Sequence, residues 1–559
     1  VTRLALAFTA ALAAALPACA PVYRPAADMV LIHARVWTVD DKLPEAQALA
    51  VVGDRVVAVG SDAEITAWRG PETRVIDALG RRVLPGFNDV HAHIVPGGQE
   101  IDGADLRHAT SPEDFKRRLA ARAQGVPRGQ WITAGTWNEQ QWAPAELPTR
   151  ELIDPVTPDT PVLLSRVDGH AALANSAALK LAGITNTTPD LPGGVIVRDA
   201  HGAPTGLLKD TAVERVLKVI PPLKREQRME IARRALALAA SLGLTSLQNM
   251  DADDGEGYGD LSVFAELAER GELTARVYDA LPILQWEDQA RLGLRRGFGS
   301  PMLRVGAVKG FADGSVGTHS AFFFDPYDDA PESRGALGHM MTPLDAMTKR
   351  LTQADAAGLQ LCVHAIGDHA NATMLDLYEK VVAANGPRDR RLRMEHAQHV
   401  RPQDFDRFAK LGVVVTVQPS VPSWFEKRIG KTRLATTAAL RAFLDHKVHV
   451  AIGTDWPVAS LNPLETLSEA VIPMDKAHPE GVVPGQAISV REAVAAYTLG
   501  SAYAEFQDDQ KGTLTPGKLA DFVILDDDIL TIPADRIRAV KVDVTIVGGR
   551  VVFERKKGG

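Results

Sequence analysis

Between Val83 and Thr454 the chain alternates short apolar runs with amphipathic stretches, and this alternation limits what it can fold into more than any other feature. The candidate strands are Val83 to His93, Leu244 to Met250, Ala275 to Leu281, Leu303 to Phe311, Leu359 to Ala365, Leu392 to His396, Val413 to Gln418 and Val448 to Thr454. Helical spacing fills most of the gaps. Examples are Arg225 to Ser241 and Pro343 to Ala357, the latter with Leu344, Met347, Leu351 and Ala354 on one face. Such alternation predicts an α/β fold with a parallel sheet. Eight strands predict a (β/α)8 TIM barrel, whose active site lies at the C-terminal ends of its strands. A Rossmann-type sheet is the alternative, but no Gly-x-Gly-x-x-Gly opens a helix after the first strand.

Both chain ends have a different character. Met29-Val30-Leu31-Ile32, Val36-Trp37-Thr38-Val39, Ala48-Leu49-Ala50-Val51-Val52 and Arg55-Val56-Val57-Ala58-Val59 are β-rich runs, with Gly53-Asp54 as a hairpin turn, and a small antiparallel sheet is expected there. Similar runs return at Leu519 to Leu525, Val542 to Val547 and Val551 to Phe553. Residues 28–84 and 510–559 are therefore expected to form one β-sandwich, and residues 85–509 the barrel. After the first strand the alternation is interrupted from about Gly97 to Pro221. An insertion of that size must form its own substructure, because a structureless loop so long is improbable. It is expected to cover the barrel mouth, with Trp131, Trp137 and Trp142 filling its core or facing substrate.

A chain of 559 residues is too long for one compact core, and its hydrophobic fraction of 45% and charged fraction of 24% are those of a globular protein. The formal net charge of -8, without a dense Lys/Arg run, argues against nucleic acid as a partner. At the N-terminus Arg3 precedes an apolar run from Leu4 to Leu16, too short to span a bilayer but suited to a secretory signal. Leu16-Pro17-Ala18-Cys19 resembles a bacterial lipobox, so residues 1–27 are expected to be a lipoprotein signal and linker. Cys19 would carry the lipid anchor of an exported protein; plain periplasmic export is the alternative. Cys362 would then be the remaining cysteine, which excludes an intramolecular disulfide.

The first candidate strand ends in His91-Ala92-His93, and alternation along a strand points both imidazoles the same way, as a divalent metal requires. Later strands end alike. Lys309 follows Val305 to Val308, His364 follows Leu361 to Val363, His396 follows Met394-Glu395, and Asp455 follows Ile452-Gly453-Thr454. Each alone reads equally well as a satisfied barrel residue or a helix cap. Together they place metal-competent side chains at the rim of five strands of one barrel.

The same stretches carry a resemblance to a known family. Pro85-Gly86-Phe87-Asn88-Asp89-Val90-His91-Ala92-His93, Asp168-Gly169-His170 with Asn175-Ser176-Ala177-Ala178-Leu179, Lys309 with Asp313-Gly314-Ser315, His364-Ala365-Ile366-Gly367-Asp368, Glu395-His396-Ala397, Thr454-Asp455-Trp456-Pro457 and Gly517-Lys518-Leu519-Ala520-Asp521 resemble the amidohydrolase superfamily. Within it the match is to family 3, the branch of N-substituted formamide deformylase-like enzymes. Asn88 stands where Ile or Leu is commonest in the first motif. The resemblance implies that His91, His93 and Asp455 bind one metal, that His364 and His396 bind a second, and that Lys309, carboxylated by carbon dioxide, bridges them. Histidine and carboxylate-type donors suit zinc, as one ion or two, with Mn, Fe or Co also compatible.

Such a centre activates water for attack on a carbonyl carbon, with Asp455 accepting the proton and passing it to the leaving amine. The expected function is hydrolysis of an amide carbon-nitrogen bond in a small-molecule substrate, such as an N-acyl or N-formyl amine. Lactone or phosphotriester hydrolysis, deamination and a non-catalytic binding role are the alternatives. His170, Asp313, Trp137, Gln418 and Trp456 are candidates for substrate contact or for bracing the ligands. Cys362 lies deeper on the His364 strand and is not expected to act as nucleophile. Barrels of this kind often associate, so a homo-oligomer is a further expectation.

Overall fold

The computed structural model describes residues 25–127, 129–167, 169–191, 193–251, 258–331, 340–473 and 481–556. The signal segment with Cys19, and Asp168 of the Asp-Gly-His motif, lie outside them.

Eight parallel strands form the central sheet: β1 (Phe87–Ala92), β2 (Leu244–Met250), β3 (Arg276–Pro282), β4 (Leu303–Phe311), β5 (Gln360–Ala365), β6 (Arg393–His396), β7 (Val414–Val417) and β8 (His449–Ile452). Each pairs with the next in chain order. The ring closes beyond the strand ends, where His93 N–H donates to the Trp456 carbonyl at 2.8 Å and Asp455 N–H to the His91 carbonyl at 2.7 Å. The fold is thus an α/β TIM barrel. Its interior is packed rather than open. Met250, Tyr278, Ala280, Ala307 and Cys362 form a fully buried layer, in which burial pushes the Cys362 thiol up to about 12.

The sequence reads Val83 to His93 as one strand, and the structure corrects this. The run splits at Gly86 into Arg82–Pro85, which joins a terminal sheet, and β1. A Cβ at Gly86 would stand 2.2 Å from the Thr245 side chain, and Gly86 N–H donates to the Asp521 carbonyl at 2.9 Å. Only glycine lets the chain pass that close while changing sheets. Leu344 also departs from expectation. It is 44% exposed at the start of helix Leu344–Ala356, whose buried face is Met347, Leu351 and Ala354.

The chain ends build two further sheets. One runs Arg55–Gly60, Ala48–Val52, Met29–Ile32, Arg74–Asp77; the other runs Arg550–Glu554, Val542–Val547, Phe522–Leu525, Arg82–Pro85, Arg35–Trp37, Glu45–Ala46. Leu31, Val36, Leu49, Val83, Phe522, Ile524 and Ile546 pack in one core shared by the two. The N-terminal strands are not one antiparallel sheet. They divide between both sheets, and Met29–Ile32 pairs parallel with Arg74–Asp77, as Arg35–Trp37 does with Arg82–Pro85. Parallel neighbours need a crossover, which the hairpin at Gly53-Asp54 and helix Asp62–Thr66 supply for the first pair. Arg276 on β3 ties this unit to the barrel through a buried two-pronged pair with Asp521, at 2.7 and 2.9 Å.

Helix Ile94–Glu100 packs back on barrel helix Arg225–Ser241, with Gly98 against Ile231 and Ala235, so the excursion leaves the barrel after Glu100. The excursion holds an antiparallel sheet in the order Gly194–Arg198, Pro204–Asp210, Ala171–Ala174, Leu163–Ser165, and two small apolar cores.

Candidate active site

The site starts from β1. Asp89, wholly buried, accepts hydrogen bonds from Thr454 Oγ1 at 2.7 Å, Tyr497 OH at 2.9 Å, and the Thr454 and His91 N–H groups at 3.1 Å. These bonds draw the end of β8 onto β1. Asp455, the next residue, takes a left-handed φ of 57°, a conformation that costs an ordinary residue about 1 kcal/mol or more and is kept where surroundings enforce it. The turn brings Asp455 Oδ1 to 3.1 Å from His93 Nε2 and 3.3 Å from His91 Nε2.

The other expected ligands gather on the same spot. Lys309 Nζ on β4 lies 3.2 Å from His91 Nε2 and 4.9 Å from the Phe311 ring centre. The His396 ring centre is 4.8 Å from that of His91 and 4.6 Å from that of His364. All six sequence-predicted ligands therefore form one cluster.

Hydrogen bonds fix which nitrogen of each ring keeps its lone pair. His91 Nδ1 donates to Glu395 Oε2 at 2.6 Å, leaving Nε2; His364 Nε2 donates to the Gly314 carbonyl at 3.1 Å, leaving Nδ1; His396 Nδ1 donates to Gln418 Oε1 at 2.7 Å, leaving Nε2. Carboxylates and carbonyls only accept, so the tautomers follow from the partners. Burial, with the Lys309 charge beside it, pushes His91 down to about 3, and burial takes His396 to about 4 and His364 well below the usual range. Each shift disfavours the protonated ring, as ligation requires. Burial opposes charge on Asp455 too, but His91, the hydrogen bond from His93, and His396 together hold its carboxyl well below the usual range. One ligand atom each from His91, His93 and Asp455 lie within 4.8 Å of one another. Two imidazoles and a carboxylate at that spacing fit a divalent metal.

The remaining candidates divide. His170 comes from the insertion; its ring centre is 5.5 Å from that of His364, and its Nδ1 is 3.0 Å from Asp210 Oδ1. Gln418 braces His396. Asp313 accepts from the N–H groups of Ile366, Gly367 and Phe322 at 2.8 to 2.9 Å, which pins the loop after β4 to the end of β5. Its role is bracing. Trp456 packs its ring on Gly97 and closes the barrel through its carbonyl. Trp137 corrects the expectation of substrate contact: it is fully enclosed in the insertion's core and donates its indole N–H to the Leu164 carbonyl at 2.8 Å.

Three residues of the site were not assigned from sequence: Glu395, Asp89 and Asp210. Strict alternation would send Glu395 and His396 to opposite faces. A φ of 71° at His396 and 42° at Ala397 bends the chain and lets both serve the cluster. The acidic residue inside Met394-Glu395-His396 was the available signal.

The amidohydrolase family profile matches residues 74–553. The chain is 36% identical over 541 residues to Protein LONG AFTER FAR-RED 3 of Arabidopsis thaliana, covering 94% of this chain and 92% of that protein. It is 28% identical over 550 residues to N-substituted formamide deformylase of Arthrobacter pascens, covering 94% and 98%. A solved structure of an uncharacterized metal-dependent hydrolase from Pyrococcus horikoshii OT3 superposes with a TM-score of 0.74 at 27% identity, covering 91% of this chain and 99% of that one. With the barrel, the convergent histidines and the family match over most of its length, the chain belongs to the amidohydrolase family of metal-dependent hydrolases.

Proposed function

We propose that this hydrolase cleaves the carbon-nitrogen bond of a small amide, with N-formyl and N-acyl amines as the substrate class. The observation that carries the reading is Asp455. Its ionised carboxylate stands 3.1 Å from the His93 imidazole and 3.3 Å from that of His91, where a proton acceptor for water is needed. A divalent ion, zinc by the donor set, would be held by His91, His93 and Asp455, with a second at His364 and His396, and would supply activated water and a polarised carbonyl. Asp455 takes the proton from the attacking water and returns it to the leaving amine. Similarity to a formamide deformylase supports an amide over a lactone or phosphotriester.

Lys309 is the bridging ligand in this reading. Burial lowers its pKa, and its neutral amine adds to dissolved carbon dioxide, forming an N–C bond and releasing one proton to solvent. The carbamate then offers two oxygens. The N-terminal segment directs export, with Cys19 as the lipid-anchored residue.

The test is elemental analysis of protein purified without chelator, followed by a substrate screen. About two equivalents of zinc, falling to one or none in Lys309→Ala, together with turnover of N-formyl or N-acyl amides, is the expected result. Turnover confined to lactones, phosphotriesters or amino-heterocycles would reject the amide assignment. Mass spectrometry of the mature N-terminus tests the lipid at Cys19.

A further inference from the structure

His91, His364 and His396 are each steadied at the ring nitrogen that does not keep the lone pair, but their partners differ in kind. His364 donates to a backbone carbonyl, with the Asp313 carboxylate at 3.6 Å, beyond hydrogen-bond reach, and His396 donates to a side-chain amide. Of the three, His91 has the carboxylate, Glu395, and the shortest bond, 2.6 Å.

Glu395 is in turn held on every side. Arg393 Nε donates to its Oε1 at 2.8 Å, the Arg393 NH2 group to Oε2 at 3.1 Å, and Thr416 Oγ1 to Oε2 at 2.7 Å. Arg393 also donates to Gln248 Oε1 at 2.5 Å and to the Val90 carbonyl at 2.8 Å. Glu395, Arg393 and Thr416 are wholly buried. A buried carboxylate is tolerated only when paired and hydrogen-bonded, and here the pairing also removes its freedom to move. Behind a metal-binding imidazole, such a carboxylate fixes the tautomer and makes the opposite nitrogen a stronger donor.

Resting on the reading that divalent metal occupies the cluster, we infer that Glu395 is a positioning residue that acts through His91. It makes the corner of His91, His93 and Asp455 the tight half of the centre, and the His364 and His396 half, whose hydrogen bonds run to neutral groups, the half that loads last and empties first.

The test titrates metal-free protein with zinc against a chromophoric chelator and repeats the titration with cobalt(II), whose visible bands report the ligand field. The parent is expected to show two unequal binding steps. Glu395→Gln keeps an acceptor for the His91 Nδ1 proton and loses the charge; its tight step should weaken about tenfold, against about 100-fold in Glu395→Met, with the cobalt bands shifted and the looser step unchanged. Thr416→Val keeps the Arg393 pair and removes one bond. It should weaken the tight step a few-fold, and it carries the test if the Glu395 variants do not fold. Folded variants that match the parent's tight constant, or that lose the looser step instead, would overturn the inference. A parent that binds no stoichiometric metal would overturn the metal-centre reading itself, an outcome distinct from a parent that binds two ions as its variants do.

Discussion

The carboxylate of Asp89 on β1 and the hydroxyl of Thr454 past β8 are joined by a 2.7 Å hydrogen bond at the seam where the barrel closes. The next residue, Asp455, owes its left-handed turn and its approach to His91 and His93 to this seam. Thr454→Val preserves side-chain shape and leaves buried Asp89 short of one donor. The expected cost is about 1–3 kcal/mol, read as a lower midpoint in urea unfolding. Asp455 is also released, so kcat should fall more than KM changes.

Asp455→Asn separates folding from chemistry. Asparagine keeps the volume and one carbonyl oxygen towards His93 but cannot take a proton at neutral pH. Turnover of the metal-saturated variant should drop by about 100-fold to 10,000-fold while its melting temperature stays within a few degrees of the parent. Turnover within a few-fold of the parent would remove Asp455 from proton transfer.

The barrel and the convergence of the candidate ligands were legible in sequence because buried parallel strands are near-continuous apolar runs, so that Lys309, His364 and His396 stand out at their ends. What was not legible depended on backbone turns that a periodic pattern cannot express. Val83-Leu84-Pro85-Gly86-Phe87 reads as one apolar run, although the chain changes sheets at Gly86. Alternation along the strand gives Glu395 the face opposite His396, and the positive φ at His396 overrules that. Trp137 reads in sequence both as core-filling and as substrate-facing. Composition places an aromatic near a site but not on one side of an insertion's own core, where Trp137 proved to lie.

Asp313 gives a prediction about the rim. Its three backbone donors come from two different segments, the end of β5 and the loop after β4, and burial pushes its carboxyl up to about 7 although those donors favour the charged form. Asp313→Asn has one acceptor oxygen where two are used and places an NH2 group against a donor N–H. A loss of about 2–3 kcal/mol is expected. Proteolysis of the loop after β4 should become faster than in the parent. Unchanged stability and unchanged cleavage would mean that the loop is held by its other contacts.

Glu469, on helix Pro463–Val471, gives a pH-dependent prediction away from the metal cluster. Burial pushes its carboxyl up to about 7 from an ordinary 4.5, with Arg538 opposing the shift. The native state therefore keeps this proton between pH 4.5 and 7, where the unfolded chain has already released it. Stability contributed by this group is intact below pH 4.5 and is lost as pH rises to 7, because the folded state binds more protons across that window. Glu469→Gln, which carries no charge at any of these values, should melt close to the parent at pH 4.5 and above it at pH 8. The gap should be about 1–3 kcal/mol, measured by thermal unfolding at several pH values. A gap of the same size at both ends would mean that Glu469 titrates alike in the folded and unfolded chains and that the substitution acts through packing.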